Sequence, residues 1–137
     1  MATNTSGERE KARPDFKNLP GASIKFLEEV HNNTHAITII NIFVLKSHED
    51  IDLWMENRKR DSKFMKQQYG MLSAQLHRGV GKDSNTFVNL VQWESTEAFR
   101  NAFLNPEFQK HISQFPSETT IFPLLLKRIG VPGTCVA

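Results

Sequence analysis

The chain has 137 residues, enough for one hydrophobic core of ordinary domain size and too few for two. Its formal net charge of +2 provides no broad cationic field of the kind that holds nucleic acid, so no nucleic-acid partner is expected. The single cysteine, Cys135, excludes an intrachain disulfide, and no stretch has the apolar length of a signal-peptide core or a membrane span, so a soluble cytoplasmic protein is expected.

Residues 1–34 read as an N-terminal arm. Up to about Ala22 they are polar, carry Pro14, Pro20 and Gly21 and show no hydrophobic period, which places that stretch outside the core. Ile24, Leu27 and Val30 then recur at helical spacing and predict a short amphipathic helix that packs on the domain or on a partner subunit. His31 and His35 are four residues apart but have no third ligand at a metal-binding spacing, so both read as surface residues and no metal is expected.

HAITIINIFVLK, residues 35–46, is β-branched and apolar on both faces, as in a strand covered on each side. Ser47 offers an N-cap to a long helix that Glu49 and Asp50 favour at its positive end; it closes at Tyr69-Gly70 with Lys66 near the negative end. MLSAQLHRGVG, 71–81, and NTFVNLVQW, 85–93, read as a hairpin. Ser95-Thr96 begins a second helix carrying Ala98, Phe99, Ala102 and Phe103, restarted by the N-cap and N1 pair Asn105-Pro106 and stopped by Pro116. TTIFPLLLKRIGV, 119–131, is the last strand, with Pro123 pushing it to an edge or a bulge, and residues 133–137 form a tail.

The order β-α-β-β-α-β over residues 35–132 predicts an α+β, ferredoxin-like domain with both helices on one face of an antiparallel sheet. The other face would carry Thr38, Ile40, Ile42, Val44, Val88 and Leu90, too apolar to meet water, so face-to-face packing of a homodimer is expected.

On the helix side, strict alternation places Asn41 among Ile37, Ile39 and Phe43, and Asn89 among Phe87, Val91 and Trp93. A primary amide buried without partners costs on the order of 1–3 kcal/mol. Two such amides on strands that this topology makes neighbours therefore point to one pocket, walled by Trp93. The first long helix has a matching break: its stripe Trp54, Asn57, Arg58, Asp61, Phe64, Met65 is apolar at both ends and polar in the middle. With Phe43 and Phe103 these residues are the expected substrate-binding set. Asn89 is expected to lack a full complement of protein hydrogen-bond partners. No glycine-rich phosphate loop and no Ser or Cys nucleophile arrangement is present. His77 and His111 remain candidate bases, with surface or satisfied-core roles the favoured reading for both.

INIF at 40–43, QQYGMLSAQLHRG at 67–79, FVNLVQWES at 87–95 and EAFRNAFLNPEFQKH at 97–111 resemble the antibiotic biosynthesis monooxygenase family of dimeric α+β barrels. Asn41, Asn89 and Trp93 resemble in particular its small anthrone oxygenases, which work without a cofactor. The resemblance implies a monooxygenase that takes an anthrone-like or polyphenolic polyketide and O2 to a quinone, with Asn41, Asn89 and Trp93 as catalytic residues. ENRKRDS at 56–62 is more charged than that branch suggests, and residues 1–34 lie outside the resemblance. The alternatives are haem degradation, which relatives perform with a helix-borne tryptophan and histidine where this chain has Ala102 and Ile112, with His111 adjacent; polyketide cyclisation or decarboxylation; and a non-catalytic dimer that binds a small molecule.

Overall fold

The computed structural model describes residues 14–19, 25–32, 35–116 and 118–135. In chain order the elements are β1 (Asp15–Phe16), α1 (Phe26–Asn32), β2 (Ile37–Val44), a 3-10 turn (His48–Asp50), α2 (Ile51–Lys66), β3 (Met71–Arg78), β4 (Thr86–Trp93), α3 (Thr96–Phe103), α4 (Pro106–Ile112) and β5 (Thr120–Leu126). The expected β-α-β-β-α-β core is present. Local chemistry sets its boundaries: Ser47 accepts from the Glu49 N–H at 3.2 Å, Ser95 from Ala98 N–H at 3.0 Å and Asn105 from Glu107 N–H at 2.9 Å, each satisfying a donor that the first helical turn leaves free.

The sheet order is β1-β5-β2-β4-β3, with β2 antiparallel to both β4 and β5. Asn41 lies opposite Asn89 on one side and opposite Pro123 on the other. Helix-facing side chains of β2 and β4 are buried except Asn41, which is half-buried, while Ile40, Ile42, Val88, Leu90, Phe122 and Leu124 on the reverse face are only partly covered within the chain. Between Met71 and Ser73 the β3–β4 register shifts by a bulge. Two residues of β3 there share one step of β4, so Met71 before the bulge and Ala74 and Leu76 after it point to the same face.

The N-terminal segment requires a correction. The stretch expected outside the core supplies buried Pro14 and a strand, β1, parallel to β5, through Asp15 N–H to Thr119 O and Lys17 N–H to Ile121 O, both 2.9 Å. Helix α1 is present, and its Phe26 and Val30 join the core formed by Ile37, Ile39, Val91, Trp93 and Phe99. Arg100 clamps it by donating to Val30 O at 2.9 Å. Residues 1–13, 20–24 and 33–34 of the expected arm, and 136–137 of the expected tail, lie outside the described residues.

Pro123 does not push the whole of β5 to the edge. Residues whose backbone groups face away from β2 alternate, so after Ile121 the next N–H that could extend the ladder to β1 belongs to residue 123, a proline without one. The parallel pairing stops there. Two residues on, the Leu125 N–H is taken by the Glu29 carboxylate of α1 at 3.3 Å.

Gly70 ends the turn after α2 at φ 87°, and a Cβ there would lie 2.5 Å from Ala98 Cβ. Gly70→Ala therefore combines left-handed strain with overpacking, and we expect a loss of about 2–4 kcal/mol, read as a lower urea midpoint at unchanged slope.

Candidate active site

Apolar side chains on the helix face form separate clusters rather than one. Ile37, Ile39, Val91 and Trp93 pack with α1 and α3 at one end of the strands; Phe43, Leu45 and Phe87 pack with Trp54 of α2, Phe115 and Ile121 at the other. A third cluster, Phe64, Phe108 and Ile112, joins α2 to α4. Between them lies a polar layer of Asn41, Asn89, Arg58, Asp61 and Asn57. Here the side chains leave a cavity of about 270 Å³.

Of the residues expected at a catalytic site, Asn41, Asn89 and Trp93 all line this cavity. Of those expected to bind substrate, Phe43, Arg58, Met65 and Phe103 line it, and Trp54, Asn57, Asp61 and Phe64 do not. Each of the four has a structural reason. Trp54 is fully buried against Phe43 and Phe87, with ring centroids 5.1 and 4.3 Å away. Asn57 ties α2 to the segment after α4, donating to Gln114 O and accepting from Arg60 Nη2, both at 2.7 Å. Phe64 stacks on Phe108 at 5.9 Å. Asp61 faces α4, fully buried, with Arg58 Nη1 at 3.7 Å and His111 Nδ1 at 3.5 Å.

Strand alternation misses the walls brought by other elements. Met71, Ala74 and Leu76 reach the cavity through the β3 bulge, and Phe16 reaches it through β1. Leu76 pairs with Asn89, so hairpin register alone could have found it. Phe16 carried no such signal, because a two-residue strand has no period. Among the described residues no group of three or more His, Cys, Asp or Glu side chains converges to hold a metal ion.

The two amides differ in their surroundings. One orientation of Asn89 satisfies both of its ends: Nδ2 donates to the Gln75 carbonyl and Oδ1 accepts from Arg58 Nη2, each at 3.1 Å. One N–H of its NH2 group then remains without an acceptor among the described residues. Asn89 is thus held by backbone and by Arg58, yet keeps a donor at the cavity. Asn41, half-buried on the same cavity, hydrogen-bonds through its side chain to no described residue.

Burial governs the charges. It pushes the Asp61 carboxyl up to about 6, against the opposing pull of Arg58 and then Arg60. Burial likewise lowers Arg58, with Asp61 opposing, and lowers His111, aided by Arg60. Arg58 remains a cation at neutral pH, and its guanidinium carbon sits 5.2 Å from the Phe43 ring centroid. The arrangement can donate hydrogen bonds to an oxygen anion inside a mainly apolar, aromatic-walled space.

Residues 49–114 match the family model described as antibiotic biosynthesis monooxygenase, bearing out the resemblance read from the sequence. The fold is similar to SnoaB, a cofactor-independent oxygenase from Streptomyces nogalater, at 24% identity over 72% of this chain and 98% of that one, with a TM-score of 0.62. It is also similar to a putative monooxygenase from Shewanella loihica PV-4, at 26% identity, 72% and 98% coverage and a TM-score of 0.55. A putative antibiotic biosynthesis monooxygenase from Caulobacter crescentus CB15 shares 14% identity over 66% of this chain and 89% of that one, with a TM-score of 0.56. No curated protein matches the chain. These likenesses bear out the α+β, ferredoxin-like fold.

The raised Asp61 pKa makes a stability statement. The folded state binds the proton more tightly than the unfolded chain, so this contribution is fully present below about pH 4 and is lost as pH rises through about 6. At about 1.4 kcal/mol per unit the full change is of order 3 kcal/mol. Asp61→Asn should abolish this part of the slope, seen as the difference between variant and parent urea midpoints from pH 4 to 7.

Proposed function

We propose that this chain, which carries the antibiotic biosynthesis monooxygenase pattern over residues 49–114, is a cofactor-independent monooxygenase that oxidises an anthrone-like or polyphenolic substrate to a quinone with O2. The observation that carries the reading is the juxtaposition of Asn41 and Asn89 on paired strands, with Trp93, around a cavity whose remaining lining is mainly apolar. An engineered apolar cavity of about 150 Å³ holds benzene, so about 270 Å³ favours a fused-ring aromatic and is small for a haem.

The chemistry follows from the electronic state of dioxygen. A triplet molecule reacts poorly with closed-shell organics, so without a metal or flavin the substrate itself must supply an electron. An anthrone does so once it loses a methylene proton and becomes a delocalised enolate. Asn41 and the free N–H of Asn89 donate to the enolate oxygen; Trp93, Phe43, Met65 and Phe103 wall the rings. Electron transfer gives a substrate radical and superoxide, which combine at the former methylene carbon. The resulting peroxide anion takes up the equivalent of the proton lost in enolate formation, and the hydroperoxide then loses water, so that CH2 and O2 become a carbonyl and H2O.

The haem-degrading alternative has less support. Ala102 is a buried core residue, Ile112 lines the cavity, and His111 turns to Asp61 instead of lining it. The partly covered reverse face of the sheet favours a homodimer packed through Ile40, Ile42, Val88 and Leu90.

The central test is incubation, free of metal and flavin, with a panel of anthrones while oxygen uptake and quinone absorbance are followed. Turnover is expected, and Asn41→Ala and Asn89→Ala should each reduce it roughly 100- to 1,000-fold with the protein still folded. Unchanged oxygen uptake in both variants would sink the reading. Leu90→Glu should shift the sedimenting species from dimer to monomer, since it places a charge on the proposed packed face.

A further inference from the structure

We propose that Arg58 is the counter-ion that makes the cavity select an ionised substrate, a phenolate or enolate whose oxygen shares the ring system's π electrons. This rests on the aromatic-oxygenase reading above and adds to it a charge state for the bound molecule and a residue that fixes it.

Among the described residues the sheet contributes no charged side chain to the cavity lining; the charged lining residues are Arg58 and Lys66, both from α2. Lys66 is exposed, so water and salt screen it. Arg58 is largely withdrawn from solvent, its side chain 14% exposed, and its field acts through a poorly screened interior. Around it stand Asp61 and Arg60 on α2 and His111 on α4; burial keeps His111 below its usual range, so it adds little charge at neutral pH.

Arg58 is also unusually under-used. Of its five N–H donors, one bonds Asn89 Oδ1, another side of the fork faces Asp61 at 3.7 Å, beyond hydrogen-bond length, and the buried Nε has no partner. Asp61 lies outside the cavity lining, so the pair is polarised, with its positive end at the ligand space. The bond to Asn89 has a second effect. By donating to the amide oxygen, Arg58 fixes the orientation in which Asn89 Nδ2 bonds the Gln75 carbonyl with one N–H and keeps its second N–H for a ligand. Charge and amide orientation therefore act in the same direction, both favouring an oxygen anion over a neutral hydroxyl.

A hydroxyanthraquinone that has no methylene to oxidise reports this directly, because its phenolate absorbs at longer wavelength than its phenol. With 2-hydroxyanthraquinone as the probe, the bound dye is expected to ionise about one pH unit or more below the free dye. Arg58→Gln should remove that shift. Asp61→Asn, which deletes the opposing negative charge, should move the ionisation further down. A merely structural role for the pair would not give shifts of opposite sign. Arg58→Lys, which keeps a charge, should retain part of the shift and stands in if the glutamine variant fails to fold. If the dye binds but ionises at the same pH in the parent and in the Arg58 variants, the proposal is overturned while the aromatic pocket stands. If the dye does not bind at all, the aromatic-oxygenase reading falls and this inference with it.

Discussion

The β2–β4 register sets Asn41 directly opposite Asn89, and the site is organised around that pairing. Two carboxamides on the inner face of a sheet cannot be covered by hydrocarbon without cost, so the elements above them must supply polar partners or leave room. Both happen. Arg58 and the Gln75 carbonyl take up Asn89, and the space over Asn41 stays open. The core is divided for the same reason: apolar clusters close on either side of the polar layer, and the cavity is what remains between them.

Much of this layer was legible because strands have a period of two. Once the strands at 35–46 and 85–93 were recognised, the faces of Asn41, Asn89 and Trp93 followed from alternation alone. Helix α2 was less readable. An apolar stripe more than 100° wide contains positions at its centre and at both edges, and spacing does not say which edge meets the sheet and which meets a neighbouring helix. Arg58 and Met65 proved to be on the cavity side; Asp61 and Phe64 proved to face α4, whose placement depends on the whole second half of the chain. Trp54 and Asn57 fall on the same stripe, yet the first packs on Phe87 and the second bonds the Gln114 carbonyl.

Two further features left no trace in the sequence pattern. The bulge between Met71 and Ser73 reverses the parity of β3, and nothing in MLSAQLHR announces it. The pairing of β1 with β5 involves only two residues, so it is decided by tertiary contact rather than local propensity. The proline in β5, by contrast, is legible, because a residue without an N–H is expected at an edge or a bulge. It acts at one rung.

That rung matters for how copies of the chain can meet. Along the side of β5 away from β2, Ile121 is engaged by β1, residue 123 has no donor, and Leu125 gives its N–H to Glu29. No run of consecutive open hydrogen-bonding groups survives there for a foreign strand to zip onto, which is how natural sheets blunt an aggregation-prone margin. Growth of the sheet sideways is blocked at that border. The broad reverse face is where the proposed association would occur, through side chains and without re-pairing the backbone ladder that carries the two amides.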